Sequence, residues 1–216
     1  LVCTGAAFKL MLDQARIQRR LAELAKEKAD AELGFLKSQI NPHFLFNSLN
    51  SVYFLIDKEN TEARKTLLQF SDLLRYQLYD CNADQIEIEK EVAFLKDYIH
   101  LQELRKDNQY RVSVNVGEEV KGFYISPLLL IPFVENAFKH ISHYNDQHNF
   151  VEVSLHRKNG SLEFLVKNSK EEWQHRTEPV GGIGLNNVRR RLELLYPDKH
   201  ALVVKDMEGT FSIELN

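Results

Sequence analysis

The chain has 216 residues, 44% of them hydrophobic, enough to bury a core in one or two domains. Its 28 basic and 31 acidic residues are mixed along the sequence and leave a net charge of −3, so it lacks the basic patch of a direct nucleic-acid binder. Cys3 and Cys81 have neither disulfide-framework nor zinc-site spacing, and no apolar run reaches the ~18 residues that span a bilayer.

Residues 1–12 form a short apolar patch followed by Arg16, Arg19 and Arg20. Two readings stand side by side here: a plain helix start, or the inner end of a transmembrane helix with its cationic residues on the cytoplasmic side. Residues 9–40 contain no Pro and many Ala, Leu, Glu, Lys and Arg, which predicts one long helix. Leu10, Ile17, Leu24 and Ala31 recur every seven positions, with Leu21 and Phe35 as companions and Gln14 and Lys28 as interruptions. This is an imperfect seam for a parallel dimeric coiled coil, and it makes 1–35 a connector.

From residue 36 the pattern sharpens. Wound at ~100° per residue, Leu45, Leu49, Val52 and Ile56 fall on one stripe flanked by Phe46 and Tyr53, while His43, Asn47 and Asn50 fall opposite. Pro42 lacks an N–H and opposes the carbonyl of Ser38, so a bend is expected beside His43. Residues 57–61 break the period. A second amphipathic helix follows at 62–79 with Leu67, Leu68, Phe70, Leu74 and Leu78 as its face, which implies an antiparallel hairpin over 36–84. Two such hairpins in a dimer predict a four-helix bundle with His43 on its outside.

A third helical pattern covers 89–106 through Val92, Leu95, Ile99 and Leu104, and 80–89 reads as a domain boundary. Beyond Tyr110 the period becomes two. Strands are expected at 111–116, 150–156, 161–167, 201–205 and 210–215, interleaved with helices at 127–141 and 184–195. The resulting unit, 85–216, is an α/β sandwich with a mixed sheet and helices on one face.

The run Asn41-Pro42-His43-Phe44-Leu45-Phe46-Asn47 resembles the phosphoacceptor box of LytS-type sensor histidine kinases. The resemblance implies that His43 takes the γ-phosphate of ATP, with Asn47 beside it in the catalytic set. PLLLIPFVENAFKH, from Pro127 to His140, resembles the N box of the GHKL ATPase superfamily. That implies an amide oxygen of Asn136 on Mg²⁺, Lys139 and His140 near phosphate oxygens, and Glu135 as a polarising carboxylate.

Gly181-Gly182-Ile183-Gly184-Leu185-Asn186-Asn187 resembles the glycine box of the same superfamily. Gly182 and Gly184 would let backbone N–H groups approach phosphate, with Leu185 and Asn187 completing the nucleotide-binding stretch. Residues 170–180 would be the lid. Gly209-Thr210 resembles the last superfamily element, in which Thr210 helps hold the adenine-binding group or its water.

Two positions depart from these patterns. Asn168 stands where the first glycine box has its adenine-binding aspartate, and both glycines of that box are missing; exchanging an ionised acceptor for a neutral one costs ~1 kcal/mol, about fivefold in affinity. Phe44 follows His43 where many histidine kinases carry an acidic residue, which leaves the general base unassigned. The resemblance therefore implies the cytoplasmic core of a two-component sensor histidine kinase. It would use ATP and Mg²⁺, act as a homodimer, pass phosphate to a response regulator, for which the resemblance suggests the LytTR type, and be attached to the cell membrane through a part not in this sequence. The alternatives are a degenerate, weakly nucleotide-binding dimeric scaffold and a water-using ATPase, which the Pro132 found four residues before Asn136 disfavours.

Overall fold

The computed structural model describes residues 14, 16–21, 23, 24, 28, 42–104, 110–142, 149–171 and 183–216. It divides into two compact units, Leu1–Val52 and Tyr53–Asn216. In the first, the described residues from 14 to 28 are helical, and the seam residues Ile17, Leu21 and Leu24 are exposed. Leu10, Ala31, Phe35, the apolar patch and the Ser38 carbonyl lie outside the described residues.

Helix α1 spans Pro42–Leu55 among the described residues. None of its residues is buried; on its expected packing stripe Leu45 and Leu49 are partly buried and Val52 is exposed. Phe54 and Leu55 stand 81% and 85% exposed.

Within the second unit, α2 (Thr61–Leu78) starts where the Asn60 side chain accepts the Ala63 N–H at 3.1 Å. Its buried residues are Leu73 and Tyr76, whereas Leu68 and Phe70 of the expected face remain exposed. The helix carries two apolar stripes, and the buried one holds Leu73 and Tyr76, whose ring stacks 4.5 Å from that of Phe94 on α3 (Ile88–Leu104). The other stripe, with Leu67, Phe70 and Leu74, lines an open groove of about 800 Å³ shared with Tyr98, Leu101 and Leu104. Helix α3 buries Val92, Leu95 and Ile99 as its period predicts, and Glu91 with them.

The strands follow their alternation closely. β1 (Ile86–Glu87) and β3 (Tyr124–Ile125) form a two-residue antiparallel ladder too short to show a period. The main sheet has the order β2-β4-β5-β7-β6, from Arg111–Val116, Phe150–Lys158, Ser161–Ser169, Thr210–Leu215 and Leu202–Met207. Only β2 and β4 run parallel.

Register sorts the two faces. Val114, Val153, Val166, Ile213 and Val204 form one row across all five strands. Its neighbour row, Ser113, Glu152, Lys167, Ser212 and Lys205, is polar. A one-residue slip would exchange the rows, so the pairing is strongly fixed.

The apolar face is covered by α4 (Ile131–Lys139) and α5 (Ile183–Leu195), with Phe133 of α4 6.0 Å from Phe164 of β5. β4 and β5 are joined by Asn159-Gly160, both at positive φ, the geometry of a two-residue hairpin turn. Helix α4 is shorter than the expected 127–141. Leu128 adopts φ 53°, and residues before Ile131 form a turn rather than a first helical turn.

Candidate functional site

Of the residues expected to handle nucleotide, Glu135, Asn136, Lys139 and His140 lie along α4 and its end, and Asn168 at the end of β5 lies beside His140. On α4, Ile131, Phe133, Val134, Ala137 and Phe138 are buried, which leaves Glu135, Asn136 and Lys139 on the side that faces away from the core. Partial desolvation holds the Glu135 carboxyl above the usual glutamate range although the residue stands at the surface. Among the described residues no three His, Cys, Asp or Glu side chains cluster as metal ligands. A single amide oxygen with phosphate oxygens as its companions suits Mg²⁺, which keeps few protein ligands, and in that sense Asn136 fits the ion.

His140 caps α4, its N–H bonded to the Asn136 carbonyl at 3.1 Å. Its own carbonyl accepts from Nδ2 of the buried Asn168 at 3.4 Å, and the Ser169 carbonyl accepts from the same nitrogen at 2.8 Å. Carbonyls only accept, so the amide orientation is settled: nitrogen toward the protein and Oδ1, among the described residues, without a protein donor. That is the polarity an adenine amino group needs.

Ser169, where the superfamily pattern continues toward glycine, is buried too. Its hydroxyl accepts the Phe150 N–H at 2.9 Å and lies 2.7 Å from Ser142 Oγ, itself 2.7 Å from Asn149 Oδ1. Each hydroxyl has one proton, so Ser142 donates to Asn149 and Ser169 donates to Ser142. Thr210 opens β7 opposite Ser169, one register position beyond the Asn168–Phe211 pair. The strand parity puts Thr210 on the Ser169 side of the sheet rather than the Asn168 side. Lys170 reaches Asp206 on β6.

Of the glycine box, Gly182 lies outside the described residues, as do residues 172–180 of the expected lid. Gly184 is exposed in the first turn of α5, where a Cβ would meet nothing within 4 Å. No acidic residue occupies that turn, which leaves its N–H groups suited to an anion. Leu185 points into the core, and Asn187 is exposed.

In the first unit His43 is exposed on α1 with Asn47 one turn on. Asn47 Nδ2 lies 3.3 Å from ring Nδ1 and 3.2 Å from Nε2. A neutral ring has one unprotonated nitrogen, so it accepts one of these bonds.

Sequence reasoning passed over Glu91. Glu91, fully buried, accepts from Tyr76 and from the N–H groups of Leu128 (3.0 Å) and Leu130 (3.1 Å). Arg191 donates to the Leu128 carbonyl at 2.9 Å and to that of Pro127. The available signal was a glutamate on the buried side of the α3 pattern, directly before Val92.

Residues 31–110 match the histidine kinase family. The sensor protein LytS of Bacillus cereus is 33% identical over 215 residues, covering 94% of this chain and 36% of that protein. LytS of Staphylococcus haemolyticus is 30% identical over 211 residues, covering 93% of this chain and 35% of its own length. The histidine kinase domain of a blue-light activated kinase from Erythrobacter litoralis superposes with a TM-score of 0.48 at 14% identity, over 69% of this chain and 73% of that one. The chain spans about a third of the length of the LytS proteins it matches. Over nearly its whole length the chain is thus similar to LytS sensor proteins, and its residues 31–110 match the histidine kinase family.

Proposed function

We propose that this chain is the cytoplasmic core of a membrane-attached two-component sensor histidine kinase, which phosphorylates His43 from Mg·ATP as a homodimer and passes the phosphoryl group to an aspartate of a response regulator. The observation that carries the reading is His43 itself, exposed on α1 inside the seven-residue box and held by Asn47. In the reaction the unprotonated ring nitrogen attacks the γ-phosphorus, an N–P bond forms as the bond to the β–γ bridging oxygen breaks, ADP leaves, and the ring proton passes to water. Asn47 donates to that same nitrogen, so its hydrogen bond opens before attack; Asn47 holds the ring ready rather than deprotonating it.

At the nucleotide end, Asn136 offers its amide oxygen to Mg²⁺, and the ion when bound neutralises charge on the phosphates. Glu135, Lys139 and His140 line the same side of α4. The N–H groups around Gly182 and Gly184 would receive phosphate, and Asn168 Oδ1 would accept from adenine. The exposed Val52, Phe54 and Leu55 of α1 support dimerisation through a four-helix bundle, with residues 1–35 as connector, 36–84 as the phosphotransfer hairpin and 85–216 as the ATP-binding domain. A LytTR-type regulator is the expected partner.

Incubation with γ-labelled ATP and Mg²⁺ tests this. Acid-labile, alkali-stable label on wild type, none on His43→Gln, and loss of Mg²⁺ dependence in Asn136→Ala are expected. Label surviving on His43→Gln would remove His43 from its role. A nucleotide-independent dimeric scaffold is the second reading, favoured by Asn168 and by Lys170, which stands where the first missing glycine would be and pairs with Asp206; absence of any heat on calorimetric titration with ATP would select it.

A further inference from the structure

The turn that launches α4 is gripped from two sides. Leu128 sits at φ 53°, a conformation a bulky residue adopts only when its surroundings over-determine it. Glu91 takes the N–H groups of Leu128 and Leu130, and Arg191 takes the carbonyls of Pro127 and Leu128. The peptide between Pro127 and Leu128 therefore has its C=O on a guanidinium and its N–H on a carboxylate. Tyr196 adds a third tie, its hydroxyl accepting the Ser126 N–H at 2.9 Å.

A fully buried carboxylate is a poor means of stabilising a fold, because apolar substitutes of similar volume often do as well or better. What an apolar side chain does not supply is direction. Glu91 and Arg191 fix the orientation of the turn, and α4 continues it as a rigid rod, so Asn136, six residues after Leu130, lies ~9 Å along that rod. A small rotation at the turn becomes a displacement of the amide oxygen.

We propose that Glu91, with Arg191 opposite it, is a positioning residue of the nucleotide site, setting the pose of α4 and with it the oxygen that Asn136 presents to Mg²⁺. This role rests on the reading of that site as one for Mg·ATP. Tyr76 brings α2 to the same carboxylate, so the helix before the ATP-binding half contributes to the pose.

The test is the affinity of the purified chain for a trinitrophenyl ATP analogue, measured with Mg²⁺ and with chelator, beside thermal melting. Wild type is expected to bind tighter with Mg²⁺. Glu91→Gln places an amide NH₂ against one of the backbone N–H groups, and Arg191→Lys loses the fork that spans two carbonyls. Each is expected to lower the gain conferred by Mg²⁺ by ~10-fold or more, the size of one charge-assisted hydrogen bond. Arg191 is only partly buried, so its variant folds even where Glu91→Gln does not. Leu155→Ala, a core cavity on β4 away from the turn, lowers the melting temperature but keeps the gain. An unmoved gain in folded Glu91→Gln or Arg191→Lys, or an equal loss in Leu155→Ala, overturns the positioning role alone. Wild type that binds no nucleotide overturns the reading of the site, and this role with it.

Discussion

Tyr76 shows how much one buried contact changes the chemistry of a side chain. Burial first, and then its bond to Glu91, hold its phenol well above the ordinary tyrosine value near 10. Because the folded pKa is raised, the stability this proton confers is complete below pH ~10 and is lost as pH rises beyond it. Ultraviolet titration should therefore find a tyrosine component that ionises only with alkaline unfolding. Tyr76→Phe should abolish the late component and lower stability by ~1–3 kcal/mol. A Tyr76→Phe protein with the same late component would mean another tyrosine carries it. The residue was legible in the sequence only as an apolar helix position. Its acceptor was not, because a glutamate in an amphipathic pattern reads as surface until the turn that donates to it is known, and that turn depends on the positive φ of Leu128, which no periodicity announces.

Elements were legible to the extent that they are periodic. The five strands of the main sheet and helices α3 and α5 lie where the alternation and 3.6-residue spacing put them, whereas α4 gives up four residues to the gripped turn. On α2, period alone could not choose between two apolar stripes, since both satisfy it; the stacked Tyr76–Phe94 pair decided which is buried. Of the site, His43, Asn136 and Asn168 were placed by resemblance and not by physics. At Gly184 a physical test is open. The position is helical, and an added methyl group meets nothing within 4 Å, so Gly184→Ala should raise stability by ~0.4–1 kcal/mol through the unfolded chain. If the glycine is there to let phosphate approach, the same variant should bind ATP more weakly. A melting temperature that rises with unchanged nucleotide affinity would leave that glycine without a ligand role.

At the scale of the whole molecule, the apolar side chains that one chain fails to cover are the ones that predict assembly. Ile17, Leu21 and Leu24 are exposed along the N-terminal helix, and Phe54 and Leu55 at the end of α1 are more exposed still. Sedimentation at micromolar concentration is expected to give twice the mass of one chain. Phe54→Glu combined with Leu55→Lys should shift it toward one chain without lowering the melting transition of the α/β unit, because neither side chain is buried there. A wild-type monomer would remove the dimer.

The Asn159-Gly160 hairpin sets a timetable. β4 and β5 pair across two residues, a contact that forms in ~1–10 μs, while β2 joins β4 only after a crossover in which Arg111 meets Phe150, 39 positions away by their numbers. The hairpin can thus exist as a template before its parallel neighbour arrives. During that interval one edge of β4 has no partner, so crowding and chain concentration will act on the refolding yield of this protein chiefly while β2 is still absent.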